Sequence, residues 1–287
     1  MEKIRAMDAS SIFRAWIAAG SPEHDEMKQD MVGTLLANAL RAEPPDPRTL
    51  RAIRGFVADE SNPLNTRAQL VQVLGQTGAK ETQDILIETA TSSANDELRQ
   101  IATQAVAYGA GFRGDGKFHE ELSPALEDVW DRSGNWSLLL SAAYAMAEVG
   151  APGGVEKLVA AAVDTSPGNA HRAKLAKLAL GQVRNPLAIP GLAAHLGSQK
   201  GASRESLIAG DTLASIGTAA SVKVLIDWLQ KADDGAAALV HAFVIKTPNR
   251  AIENQWKAAL KPTVTFHSEK VREAIRAGVV AYHIKHI

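Results

Sequence analysis

The glycine-rich segment at residues 109–118 carries residue types that bind phosphate in other proteins. Residues 109–114 have the spacing G-x-G-x-x-G, and residues 111–117 nearly complete a P-loop. Phe118, however, stands where a P-loop needs a Ser or Thr hydroxyl to bind magnesium. Both motifs also require a strand that leads into the loop, whereas Leu98–Tyr108 has the apolar periodicity of a helix. We therefore predict an extended turn inside a helical hairpin and no phosphate site.

Several histidines have a spacing that would suit a metal ion. His283 and His286 are three residues apart, so they share a helix face and, together with a carboxylate, would offer metal ligands. His267 stands earlier in the same C-terminal segment. A single His119-Glu120 pair stands near the start of another predicted helix. We interpret the C-terminal histidines as solvated residues near a helix C-terminus, where positive charge is favoured. We predict no metal site and no catalytic residue.

Composition excludes several classes of function. The 287 residues carry a net charge of -1 and contain no cysteine. The charge balance argues against nucleic acid as the main partner, because no basic field gathers phosphates. The absence of cysteine excludes disulfides, thiolate nucleophiles and iron–sulfur clusters.

No cofactor is evident, and no apolar run is long enough to predict a transmembrane segment. The sequence leaves the compartment open: cytoplasmic, or periplasmic if a signal or anchor preceded this sequence.

Four segments repeat one apolar pattern. They are Leu70–Gly78, Ala142–Gly150, Ala176–Arg184 and Ala209–Gly217. In each segment, a large apolar residue stands four positions before the last residue, and a leucine stands eight positions after that last residue. The apolar residues within the segment share one face of a helix, and those that follow it share one face of a second helix. Glycine at the end of the first helix favours a left-handed cap, so each unit is predicted to be a helical hairpin.

The turns of these hairpins are evenly spaced along the chain. The anchor residues Gly78, Gly111, Gly150, Arg184 and Gly217 are separated by 33, 39, 34 and 33 residues. Fainter copies of the pattern extend the array to about seven hairpins over residues 27–260. One of them places Pro47 in the first turn of a helix. Residues 1–26 are predicted to form an N-terminal capping helix near Ala9–Ala19, and residues 261–287 a C-terminal one from Ser268. We predict that residues 1–287 form a single solenoid domain.

The segments Thr66-Arg67-Ala68 and Leu74-Gly-Gln-Thr-Gly78 resemble the HEAT repeat in its short bacterial, bilin-lyase form, as does Arg172-Ala173 followed by Leu180-Gly181. The resemblance implies an all-α, right-handed α-solenoid that serves mainly as an interaction scaffold. HEAT-like iron hydroxylases use several His-Glu pairs, whereas this chain has one. HEAT-like DNA glycosylases need a basic groove, which the near-neutral charge does not favour.

The second helices of such arrays usually line the binding surface. On these helices, two sets of equivalent positions next to the apolar core residues are predicted to face outward. The first set is Glu88, Ala160, Ala194 and Asp227, and the second is Thr89, Ala161, His195 and Trp228. Together with Trp256 one repeat later, the partner-binding candidates are His195, Asp227, Trp228 and Trp256. Our first hypothesis is a non-catalytic scaffold that binds a protein partner. The alternatives are an enzyme that uses the groove, bilin lyase-like or glycosylase-like, and a structural spacer.

Overall fold

The computed structural model describes residues 8–19, 26–42, 46–113, 118–132, 134–151 and 153–285. These residues form sixteen α-helices and no β-strand, which confirms the prediction of an all-α chain for them. The helices are α1 (Ala9–Ala19), α2 (Glu26–Ala42), α3 (Pro47–Ala58), α4 (Leu64–Gly75), α5 (Lys80–Ser92), α6 (Asp96–Arg113), α7 (Phe118–Arg132), α8 (Trp136–Val149), α9 (Gly154–Val163), α10 (Ala170–Gln182), α11 (Ile189–Gly197), α12 (Arg204–Ile216), α13 (Ala219–Leu229), α14 (Ala237–Val244), α15 (Arg250–Ala259) and α16 (Glu269–Lys285). Short 3-10 helices at Pro186–Ala188 and Asp234–Ala236 precede α11 and α14.

The chain forms two compact units, Met1–Ala145 and Met146–Ile287. The boundary between them falls inside α8. The number of repeats, the handedness of their stacking and the single solenoid domain stay predictions. Across the described ranges, no helix combines the length and the apolar character needed to cross a bilayer.

The helices of the first unit alternate between two layers. Helices α2, α4 and α6 pack side by side in one layer, and α1, α3, α5 and α7 do so in the other. Leu70 and Leu74 of α4 are fully buried, and each such side chain contributes about 1.5–3 kcal/mol of burial energy. A Cβ atom at Gly75 would lie 2.8 Å from the Cβ of Ala105. Gly75 therefore allows α4 and α6 to pack closely.

The second unit is built in the same way. Helices α10, α12, α14 and α16 form one layer, and α9, α11, α13 and α15 form the other. Gly210 of α12 faces the ring of Phe243 on α14, and a Cβ there would collide with that ring. Phe243 is 1% exposed. A small residue thus again sets the spacing between neighbouring helices in one layer.

The turns within the hairpins show two ways to end the first helix. Gly78, Gly150 and Gly217 have positive φ angles of 64°, 74° and 65°, as the sequence predicted, and glycine adopts this region without steric cost. Arg184 is the other described anchor that lies outside a helix. It does not adopt the left-handed conformation, since no described non-glycine residue has positive φ. Its N–H donates to Glu148 Oε1 at 2.8 Å, and the N–H of Asn185 donates to Oε2 at 2.9 Å. The carboxylate of Glu148 therefore fixes this turn instead of a glycine.

The glycine-rich segment differs from its prediction. Helix α6 continues through Gly109 and Gly111 to Arg113, so these glycines belong to a helix and not to a turn. A Cβ at Gly109 would collide with the side chain of Gln83 on α5. Close packing of α5 against α6 accounts for Gly109, and the helix excludes the strand-fed loop that a P-loop needs. Residues 114–117 lie outside the described residues.

Candidate functional site

A surface groove lies in the second unit between α11 and α13. Its volume is about 370 Å³. It is lined by Ala193, Gly197, Gln199, Lys200, Val224, Asp227, Trp228, Lys231 and Ala232. Two of the four predicted partner-binding residues, Asp227 and Trp228, are in this set. We call this set the α11–α13 groove.

Trp228 forms part of the groove as a fixed wall and not as an exposed anchor. Only 7% of the residue is exposed. Its indole Nε1 donates a hydrogen bond to the carbonyl oxygen of Gln199 at 2.8 Å. The expectation that this ring faces outward is therefore wrong. The turn after α11 folds back over α13 and covers the ring, an arrangement that helical periodicity within α13 does not reveal.

Backbone hydrogen bonds hold the turns beside the groove in place. The N–H of Asp233 donates to the carbonyl of Lys200 at 3.1 Å, and the N–H of His267 donates to the carbonyl of Gln230 at 2.8 Å. A Cβ at Gly201 would collide with the carboxylate of Asp233. Each of these bonds joins one inter-helix turn to the next. The groove is thus bounded by turns that support one another.

The neighbouring turn carries an ion pair. Lys270 Nζ lies 2.8 Å from Asp234 Oδ2, and the hydroxyl of Ser268 donates to Asp234 Oδ1 at 2.6 Å. The hydrogen bond from Lys270, followed by that from Ser268, lowers the pKa of Asp234 from its ordinary value. The ionised carboxylate therefore helps to join the turn at 233–236 to the start of α16.

The charged groups of the groove are unevenly paired. Asp227 Oδ2 accepts from Lys223 Nζ at 2.6 Å within α13, and the Asp227 side chain is 49% exposed. Lys200 and Lys231 also line the groove and are exposed. Neither lysine has an ion pair with any of the residues that the structure describes. The groove therefore presents two positive charges without counter-ions beside an apolar wall.

The other two predicted residues lie elsewhere. Trp256 of α15 is 1% exposed, and its Nε1 has no hydrogen-bond partner within the described ranges. The ring of Trp256 therefore belongs to the core of the second unit. His195 is half-buried on α11 and does not line the groove. A role in partner binding stays a prediction for all four residues.

The two lysines and Gln199 were not among the predicted residues. All three lie in the turns that follow α11 and α13, where apolar periodicity gives no signal. The recurrence of Gly-containing turns at residues 197–203 and 233–235 is the sequence signal that could have pointed to them. A repeated turn places its side chains at the same edge of a stacked array.

His283, one of the C-terminal histidines, lies beside a carboxylate that also contacts a lysine. His283 Nδ1 lies 3.4 Å from Glu253 Oε1, and Lys257 Nζ lies 2.5 Å from the same oxygen. The hydrogen bond from Lys257 is the main cause that lowers the pKa of Glu253. The carboxylate that a metal would need is thus already paired with a cation. In the part of the chain that the structure describes, no three potential metal ligands come together; His286 lies outside it.

Comparisons with known proteins give matches among solved structures only. No protein-family model matches the sequence, and no curated protein matches it. Among solved structures, human deoxyhypusine hydroxylase in complex with glycerol is 14% identical with a TM-score of 0.39, over 96% of this chain and 97% of that one. The Escherichia coli protein YibA is 15% identical with a TM-score of 0.45, over 98% of this chain and 94% of that one. At these values neither similarity carries an inference about activity.

Proposed function

We propose that this chain is a non-catalytic scaffold of HEAT-like helical hairpins that binds a protein partner through the α11–α13 groove. The partner segment is an extended peptide in which acidic residues flank an apolar side chain. The observation that carries this proposal is the pair of exposed lysines, Lys200 and Lys231, which lie beside the apolar wall of the groove and make no ion pair with a described residue. The alternation of helices between two layers in each unit supports the solenoid on which the proposal rests.

The groove suits a peptide for two physical reasons. Its wall is pre-organised, because Trp228 is held by packing and by Gln199, so little conformational entropy is lost on binding. The free lysines attract acidic side chains without first breaking an ion pair. Asp227 is already paired with Lys223, so it adds little repulsion. Affinity should therefore fall as salt is added, since exposed charges are screened.

An enzyme is the alternative hypothesis, and the groove offers little for it. General acid–base catalysis depends on a titratable side chain that is held within hydrogen-bond reach of the reacting atoms and is free to exchange a proton with them. The one carboxylate that lines the groove, Asp227, is 49% exposed and paired with Lys223. This arrangement supports binding more than proton transfer.

The test uses a library of displayed random peptides selected on the immobilised full chain. We expect enrichment of Asp and Glu on both sides of a large apolar residue. The affinity of one selected peptide is then measured by fluorescence anisotropy. The double charge reversal Lys200→Glu/Lys231→Glu should weaken binding by roughly tenfold or more, because attraction becomes repulsion.

A matched control separates the groove from overall charge. Lys174→Glu/Lys177→Glu makes the same change in net charge on exposed residues of α10 that do not line the groove. It should leave the affinity within about twofold, because salt screens remote charges. Equal loss of affinity in both double variants, or selected peptides without acidic enrichment, would show that the groove is not the binding surface.

A further inference from the structure

A second cavity, in the first unit, lies between α3 and α5. Its volume is about 190 Å³. The residues that line it are Arg54, Val57, Ala58, Glu60, Arg67, Ile85, Glu88, Thr89, Ser92, Ser93, Ala94 and Leu98. Val57, Ile85 and Leu98 are at most 2% exposed and give it an apolar side. Arg54 and Glu88 pair across it at 3.0 Å, and Glu60 is exposed at its edge.

Arg67 is the unusual member of this cavity. The residue is 6% exposed. Its Nε donates to the carbonyl oxygen of Val57 at 2.7 Å, which caps the end of α3. In the described part of the chain, its guanidinium makes no ion pair and no other hydrogen bond. The side-chain hydrogen bond from Ser61 is the main cause that lowers the pKa of Asp59, and the charge of Arg67 adds to it. Asp59 therefore lies within electrostatic reach of Arg67 but makes no ion pair with it. A buried cation without a carboxylate at ion-pair distance is costly, and the terminal nitrogens of Arg present a fork that fits a carboxylate.

Two other arginines occupy the same place in their helices. Arg67, Arg99 and Arg272 are each the fourth residue of a helix, and each donates to a carbonyl at the end of the preceding helix. Arg99 and Arg272 also have a carboxylate three residues earlier. Arg99 pairs with Asp96 at 3.3 Å, and Arg272 with Glu269 at 3.8 Å.

The position that would serve Arg67 in the same way is Leu64. Leu64 is half-buried and offers no charge. The side chains of Arg99 and Arg272 are 18% and 21% exposed, so the most buried of the three arginines is the one without a carboxylate at ion-pair distance among the described residues. The cavity provides the space in which such a carboxylate would lie.

We propose that the cavity between α3 and α5 binds a carboxylate carried on a short apolar stem, with the Arg67 guanidinium as its counter-ion. The stem lies against Val57, Ile85 and Leu98. Ser93 adds a donor, because its Oγ accepts from the N–H of Asn95 at 3.2 Å and its own proton has no acceptor among the described residues. The carboxylate belongs either to a small free acid or to the C-terminus of a peptide, and both present the same group to Arg67.

The test measures binding to the full chain by isothermal titration calorimetry. The probes are pentanoate, its neutral analogue pentanamide, and a short peptide ending in leucine with a free or an amidated C-terminus. Pentanoate should bind saturably and at least about tenfold more tightly than pentanamide, as expected for a hydrogen bond to a charged group. If the natural source is a peptide, the free peptide binds more tightly than pentanoate and the amidated peptide does not bind.

Variants of Leu64 test the site without removing Arg67. Leu64→Asp supplies an internal carboxylate like Asp96 beside Arg99, so it should weaken pentanoate binding about tenfold or more. Leu64→Asn lacks the charge and should bind like the unchanged chain. Arg67→Met should abolish binding, with folding checked by circular dichroism. Equal affinity for acid and amide, unchanged affinity in Leu64→Asp, or no saturable binding of any probe would overturn the proposal, because water alone would then solvate Arg67.

Discussion

The two cavities occupy the same place in their units, between neighbouring second helices, yet their chemistry differs. Glu88 and Thr89 line the one between α3 and α5, and Asp227 and Trp228 occupy the corresponding positions of the α11–α13 groove. Glu88 pairs with Arg54 of the adjacent helix at 3.0 Å, whereas Asp227 pairs within its own helix. The ion pair between Arg54 and Glu88 therefore spans the first cavity, which also contains the buried cation Arg67. The α11–α13 groove is open, and Lys200 and Lys231 line it without an ion pair to a described residue. One backbone arrangement thus provides two different binding surfaces through a few side chains.

The position of Thr89 in the first unit and of Trp228 in the second accounts for part of the difference between the two cavities. Thr89 is small, and its hydroxyl is used locally, since it donates to the carbonyl of Ile85 at 2.7 Å. Trp228 instead extends to the turn after α11 and donates to Gln199. In the first unit this position leaves space, and in the second it supplies a wall.

The largest expected effect comes from removing that wall. Trp228→Ala should lower the free energy of unfolding by about 3–5 kcal/mol, because it leaves a cavity in packed structure. Trp228→Phe keeps most of the volume and loses only the bond to Gln199, which should cost about 1 kcal/mol. Urea denaturation measures both values. A loss below about 1 kcal/mol in Trp228→Ala would mean that the ring is not a structural wall.

Placing a tryptophan at the equivalent position of the first unit, Thr89, should fill the cavity between α3 and α5. Thr89→Trp places a large ring in a buried position and should cost about 1–3 kcal/mol through overpacking. The same variant should no longer bind pentanoate, since the ring occupies the space for the stem. Thr89→Val is the matched control, because it keeps the size and removes the hydroxyl. Calorimetric binding by Thr89→Trp equal to that of Thr89→Val would contradict the comparison.

A smaller effect is expected at Leu64, where Arg99 and Arg272 have a carboxylate at the equivalent position of their helices. Leu64→Asp should raise the free energy of unfolding by about 1 kcal/mol, because the carboxylate pairs with Arg67 and lies in the first turn of α4. Leu64→Asn should show no such gain. Thermal unfolding at low and high salt separates the two variants, and the gain should shrink as salt screens the pair. A gain of equal size in both would indicate an effect of polarity and not of charge.

The smallest effect concerns acid stability in the second unit. The pKa of Asp234 is lowered by Lys270 and Ser268, so its unfolded-state value lies above its folded-state value. Its contribution is therefore fully present above the unfolded pKa and is lost as pH falls through the folded one. Asp234→Asn should reduce stability at pH 6 and follow the unchanged chain at the lowest pH. Parallel stability curves from about pH 6 to pH 2 would show that the pair contributes nothing.

The helices could be predicted from sequence because their causes are local. Apolar periodicity and the glycines at 78, 150 and 217 determine where helices lie and end. The orientation of Trp228 could not be predicted, since its burial depends on where a turn 29 residues away in the chain folds. Arg67 was quoted only as part of a repeat pattern. Its missing carboxylate becomes visible when Leu64 is compared with Asp96 and Glu269 in three dimensions.

The carboxylate of Glu148 has a consequence for how such a chain can grow or shrink. Glu148 belongs to one hairpin, but the backbone groups that it holds, those of Arg184 and Asn185, belong to the next. A gene duplication or deletion cut at the hairpin boundary would separate the acid from the turn that depends on it, and that turn has no glycine to replace it. The exchangeable module in this region therefore runs from Glu148 to Asn185, out of phase with the visible pairs of helices.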